Sequence, residues 1–209
     1  MFNKSGGKFK LVCLCGYLLF IAACGRDNTV NLNWQGTNVI CFGDSITFGV
    51  GAASGFDYPS YLAALLDKEV INAGLSGDTT ESALLRLEKD VLEKDPAIVI
   101  VVLGGNDFLR RRPILETAAN LEKIIKRIQK SGALVFLCDI SGPQLMSRYK
   151  KEYKDLAERN GAVYIPDLLS GIVNNPSLMS DYIHPNGRGY EIIAQRVHAA
   201  VSPYLHHDK

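Results

Sequence analysis

Five short, unbroken apolar runs mark the chain from residue 38 onward: Val39 to Phe42, Val70 to Ala73, Ala97 to Leu103, Leu134 to Cys138 and Val163 to Ile165. A strand with one wet face alternates apolar and polar residues, whereas continuous runs of this kind predict strands covered on both faces. Between the runs, apolar positions recur at a helical period. Leu121, Ile124, Ile125 and Ile128 fall on one face and are followed by a stop signal in Gly132. Leu84, Leu87 and Val91 form a second stripe, with Asp78 and Glu81 read as its start signal. Tyr190, Ile193, Val197 and Val201 form the last. Strand and helix alternating five times predict an α/β fold, a five-stranded parallel sheet with helices on both faces. A single domain accounts for residues 38–205, and no internal repeat or low-complexity tract interrupts it.

The 37 residues before that domain read differently. Lys4, Lys8 and Lys10 precede an apolar run from Leu11 to Ala23 that is too short to span a bilayer comfortably, the build of an export signal over residues 1–23. Its end, Ile21-Ala22-Ala23-Cys24, resembles the lipobox of bacterial lipoproteins, in which the signal is cut before the cysteine and that cysteine is lipidated. An ordinary signal peptide with a chance cysteine is the alternative. The expectation is an exported lipoprotein of the bacterial cell envelope, facing the periplasm or exterior and held to a membrane through Cys24. Several acyl chains, at about 0.8 kcal/mol per buried methylene, anchor a protein without any transmembrane helix. Residues 24–37 are polar and Asn-rich and suit a tether, with residues 206–209 a short tail.

Composition and charge narrow the classes. With 23 basic and 22 acidic residues, the chain has no electrostatic footprint of a nucleic-acid binder. Of five cysteines, Cys13 and Cys15 leave with the signal, and Cys41 and Cys138 sit in apolar runs where free thiols behave as small hydrophobes. No metal-ligand spacing is present.

In a parallel sheet, ligands sit at the carboxyl ends of the strands, and that rule selects four loops. They are Gly43-Asp44-Ser45, the stretch from Asn72 to Thr79, Gly104-Gly105-Asn106-Asp107, and Asp181-Tyr182-Ile183-His184-Pro185-Asn186. Ser45 ends an apolar run in a Gly-flanked turn, a candidate nucleophile for an ester or thioester carbonyl. A serine hydroxyl needs a base within hydrogen-bond reach, itself held in one tautomer by an acceptor. His198 lies in a helical stretch and His206 and His207 in the tail, which leaves His184, with Asp181 three residues before it to accept from the ring. Acyl transfer also needs donors for the tetrahedral oxyanion. The backbone N–H groups of Ser45 and Gly77 and the side-chain amide of Asn106 are the candidates. The same residues also suit plain structural duties: Ser45 and Asp181 as helix caps, His184 as a loop histidine, Gly77 and Asn106 as turn formers.

Gly-Asp-Ser-Ile-Thr at 43–47, Gly77 within Asn-Ala-Gly-Leu-Ser-Gly-Asp-Thr, Gly-Gly-Asn-Asp at 104–107 and Asp-Tyr-Ile-His at 181–184 together resemble the SGNH hydrolases, also called the GDSL esterase family. All four blocks stand in order over roughly Asn38 to Leu205, with Ile46 where the family name has Leu. The resemblance implies Ser45 as nucleophile, His184 as base, Asp181 as the acid that orients it, and Ser45 N–H, Gly77 N–H and Asn106 as the oxyanion hole. It implies a flavodoxin-like three-layer α/β/α sandwich, a small-molecule acyl ester as substrate, and neither metal nor cofactor. The wording around Gly104 and Ser76 is most similar to the exported arylesterase, acyl-thioesterase and lysophospholipase branch. Carbohydrate O-deacetylation on the same residues is the alternative, and a non-catalytic binding lipoprotein on a hydrolase scaffold is a third reading. Arg110, Arg111 and Arg112 read as a solvated turn, or else as an attraction for anionic substrates.

Overall fold

The computed structural model describes residues 28–140 and 147–207. Its five strands are β1 (Asn38–Gly43), β2 (Val70–Gly74), β3 (Pro96–Val102), β4 (Leu134–Cys138) and β5 (Val163–Ile165). All neighbours pair in parallel, in the order β2-β1-β3-β4-β5. This is the doubly wound order of flavodoxin-like sheets, whose topological switch falls between β1 and β3. Among the described residues, seven α-helices connect and flank the strands: α1 (Ser45–Phe48), α2 (Tyr58–Leu66), α3 (Thr80–Asp90), α4 (Gly105–Leu109), α5 (Ile114–Lys130), α6 (Ser147–Asn160) and α7 (Gly187–Val201).

The apolar runs are strands because both sheet faces are covered. Every residue of β3 is buried. Ile98, Ile100 and Val102 pack on one side with Leu62 of α2 and Tyr190, Ile193 and Val197 of α7. Val99 and Val101 pack on the other with Leu87 of α3, Leu121, Ile124, Ile125 and Ile128 of α5, and Leu156 of α6. Burying each such side chain contributes about 1.5–3 kcal/mol before the ordering cost, so the sequence periods and the sandwich have one cause.

Two local expectations are corrected. The start of α3 is Thr79, whose side chain accepts from Ser82 N–H while the Ser82 hydroxyl accepts from Thr79 N–H. Asp78, read as the start signal, is turned inward to Arg86 instead. The second correction concerns the tether, because Asn28 to Thr37 lies against the domain. Val30 N–H donates to Gly161 O at 2.9 Å, the Asn31 amide donates to Gln129 O and Ala133 O, and Trp34 packs against the core. Asn31 satisfies carbonyls at a helix end and before a strand, which gives this polar stretch a fixed course. At the other end, a 3₁₀ turn carries the backbone through His207. The export signal and Cys24 lie outside the described residues, and no helix among the described residues is long and apolar enough to cross a membrane.

Candidate active site

At the carboxyl end of β1 the chain turns straight into α1. Asp44 caps that helix, its Oδ1 accepting from Ile46 N–H at 3.0 Å, and Ser45 is the first helical residue. The turn is tight enough to demand glycine at 43, where a Cβ would stand 2.0 Å from Thr47 Oγ1 and 2.5 Å from Val102 O. Tyr58 and Tyr190 hold the following loop from beneath, through Thr47 Oγ1 and Val50 O. The Ser45 side chain is thereby carried on a supported turn and left 8% exposed.

The loop before α7 brings the second group. Met179 and Pro185 bridge across it, and His184 O accepts from Ser180 N–H. Inside this loop Asp181 Oδ1 accepts from Ile183 N–H at 2.7 Å and His184 N–H at 2.8 Å. Its other oxygen lies 2.8 Å from His184 Nδ1. The partnership with the His184 ring, followed by the two backbone donors, holds the Asp181 carboxyl down at about 2. His184 Nε2 then lies 3.1 Å from Ser45 Oγ. Three residues named from sequence, two of them 139 positions from the first or nearly so, thus form one hydrogen-bonded chain. With Nδ1 facing a carboxylate, the neutral ring carries its proton there and presents Nε2 as acceptor to the serine.

Gly77 and Asn106 flank the same turn. Gly77 has φ +80°, a conformation side chains rarely adopt, and faces open space. Asn106 sits in α4 with its Nδ2 donating to Asp78 O at 2.9 Å and 3.4 Å from Asp44 Oδ2. The loops after β1, β2 and β3 therefore converge. Around them Phe48, Leu75, Leu109, Tyr182 and Ile183 are exposed, one apolar side chain or more from each of the four loops at this edge.

Several residues organise the site through contacts that no sequence pattern announces. Arg86 of α3 donates to Asp78 Oδ2 at 2.7 Å, Ala73 O at 2.9 Å and Gly43 O at 2.9 Å, and lies over the Phe42 ring. One guanidinium thus binds the ends of β1 and β2 to the loop of Gly77. Asp107 accepts from Thr80 N–H at 2.9 Å and Thr80 Oγ1 at 2.6 Å, which joins α4 to the start of α3 and fixes Asn106 beside Asp78. The only hint of this duty in the sequence is that Asp107 adjoins Asn106. Arg110 and Arg111 are exposed in a turn, as the solvated-turn reading expects, and from it Arg110 donates to Gly77 O and Arg112 pairs with Glu81. Asp44 is buried, and that burial, against the pull of its bond from Ile46, pushes its carboxyl up to about 7.

Cys41 and Cys138 are buried free thiols, and burial pushes the Cys41 thiol up to about 12. Among the described residues no group of His, Cys, Asp and Glu is placed to hold a metal ion.

Comparison with known proteins places the chain in a family. An arylesterase of Vibrio mimicus is 34% identical over 173 residues, spanning 76% of this chain and 85% of that protein. The thioesterase 1/protease 1/lysophospholipase L1 of Escherichia coli K12 is 30% identical over 181 residues, 81% of this chain and 86% of that one. The crystal structure of TesA superimposes with a TM-score of 0.75 at 29% identity, covering 81% of this chain and 100% of that one. The GDSL-like Lipase/Acylhydrolase family matches residues 41–192, with the Ser45 turn near one end of the match and the His184 loop near the other, and this chain is a hydrolase of that family.

Proposed function

We propose that this protein is a serine esterase that hydrolyses acyl ester or thioester bonds through an acyl-enzyme on Ser45. The observation that carries the reading is the hydrogen-bonded chain from Ser45 Oγ through the His184 ring to Asp181, at 3.1 and 2.8 Å. In this mechanism His184 Nε2 takes the Ser45 proton as Oγ attacks the carbonyl carbon. The oxyanion forms against Ser45 N–H, Gly77 N–H and the Asn106 amide. On collapse the alcohol or thiol leaves with the proton from His184, and water, deprotonated by the same nitrogen, releases the acid and restores Ser45. Asp181 keeps its charge throughout and stabilises the imidazolium. No metal or cofactor enters any step.

The exposed apolar side chains at the mouth, Phe48, Leu75, Leu109 and Tyr182, favour an acyl or aryl group on the substrate. The same reading keeps Cys24 as a lipidated residue after removal of residues 1–23, placing the enzyme at the bacterial cell envelope, facing the periplasm or exterior. A panel of aryl, acyl and thioacyl esters of increasing chain length, with acetylated sugars beside them, tests the assignment. Turnover of the acyl series that disappears in Ser45→Ala is expected; a clear preference for the acetylated sugars would move the function to O-deacetylation.

A further inference from the structure

The course of the chain into the domain decides which way the site faces relative to the anchor. From Asn28 the backbone runs along the amino edge of the sheet. Val30 N–H bonds to Gly161 O ahead of β5, the Asn31 amide to Gln129 O and Ala133 O ahead of β4, and Thr37 and Asn38 N–H to Asp95 O ahead of β3. Asn28 itself lies against Gly161, where a Cβ would meet Asn28 O at 2.3 Å. Ser45, His184, Gly77 and Asn106 all stand at the opposite, carboxyl edge.

Chain length turns that placement into a constraint. A strand rises about 3.3 Å per residue, so the seven residues of β3 put the two edges on the order of 20 Å apart. From Cys24 to Asn28 there are only four peptide steps, which reach at most about 14 Å whatever conformation they take. For the mouth of the site to lie on the bilayer that holds Cys24, Asn28 would have to stand farther from that bilayer than the chain can reach. Tilting the domain lays a side of the sandwich on the surface and leaves the mouth opening sideways or outward.

We infer that this protein, anchored through Cys24, turns its active-site mouth away from the membrane that holds it and takes its ester substrates from the aqueous compartment, not from the lipids of that bilayer. The apolar side chains at the mouth then serve the acyl or aryl part of a water-borne substrate and do not dip into the anchoring membrane. This rests on the reading of Ser45 as nucleophile and Cys24 as lipidated, so the experiment separates those premises from the inference itself.

The lipidated full chain is placed in phosphatidylethanolamine–phosphatidylglycerol vesicles that carry headgroup spin-labelled lipid. One sample bears a fluorescent fluorophosphonate on Ser45. A second bears a thiol-reactive dye on Glu93→Cys, an exposed position at the amino edge just ahead of β3, while Cys41 and Cys138 stay unreactive by burial. Loss of emission is expected for the Glu93 position, with emission from Ser45 retained. Quenching at Ser45 equal to or greater than that at Glu93 would overturn the inference. A chain that floats with the vesicles but takes no fluorophosphonate would remove the nucleophile premise, and a labelled chain that does not float would remove the anchor premise. Either result withdraws the inference, each with its own signature.

Discussion

Asp44 offers a prediction whose size follows from the structure. Its carboxyl is 3% exposed and is pushed from the ordinary 3.8 to about 7, chiefly by burial, then by the nearby charges of Asp78 and Asp107, while Ile46 N–H and His184 pull the other way. The folded state therefore holds this proton more tightly than the unfolded state does. Below about pH 4 both states are protonated and the group is neutral to stability. As pH rises toward 7 the unfolded chain releases the proton first, so stability falls, and above about 7 the full penalty is present. At about 1.4 kcal/mol per pKa unit the penalty is at most about 4 kcal/mol, or about 2 M in a urea midpoint for an m value near 2 kcal/mol/M. Asp44→Asn keeps an oxygen for Ile46 N–H and removes the charge. Its amide nitrogen meets the Asn106 amide where Oδ2 stood at 3.4 Å, which adds a cost that does not change with pH. Urea unfolding followed through Trp34, the single tryptophan, should show the stability of Asp44→Asn relative to wild type rising between pH 4 and pH 8. Asp181, lowered from 3.8 to about 2, contributes stability that is lost as pH falls from about 4 through 2, and it does so alike in both proteins, so it cancels from their difference. A difference between the two proteins that is flat with pH, or that grows toward acid, would refute the account of Asp44.

Other outcomes follow from the same contacts. Asp181→Asn leaves the loop intact but removes the acceptor that sets the His184 tautomer, and kcat should fall by about 10³–10⁴ with little change in KM; a fall below tenfold in steady-state assays would remove Asp181 from its role. Asn106→Ala should lower kcat by about 10²–10³ as the loss of one oxyanion donor, and an unchanged kcat would exclude it from the hole. Arg86→Met leaves the buried Asp78 carboxylate without its cation and should cost about 3–5 kcal/mol in denaturant unfolding. Most of that loss should return in the double variant with Asp78→Ala, and no recovery would mean that Arg86 acts through its packing instead. Gly43→Ala should fail to reach wild-type stability or activity, because its methyl group would overlap Thr47 and Val102 O; a fully stable, active variant would show that the turn has room to move.

The strands were legible because a parallel sheet covered on both faces leaves no polar alternation, and the five runs match β1 to β5 to within a residue at each end. The helix stripes were legible for the same reason, as Leu121, Ile124, Ile125 and Ile128 are all fully buried. The candidate site could be assembled from sequence because each of its parts ends a strand or precedes a helix, which in a parallel sheet brings them to one edge. What stayed hidden is pairing between distant polar groups. Nothing near Arg86 announces that it reaches Gly43 O and Asp78, since a mid-helix arginine ordinarily faces solvent. The docking of Asn28 to Thr37 was hidden too, because a few side-chain amides meeting free carbonyls leave no periodic trace. Asp44 is the cap of α1; that it does this while buried beside the carboxyls of Asp78 and Asp107 is a property of three loops meeting.

The central claim is that Ser45 is the nucleophile and that His184 activates it. Intact-protein and peptide mass spectrometry after brief exposure to a fluorophosphonate tests this most directly. One adduct per chain is expected, located on Ser45, absent from Ser45→Ala and formed far more slowly in His184→Ala. An adduct on another residue, or equal labelling of Ser45→Ala and the wild type, would contradict the account.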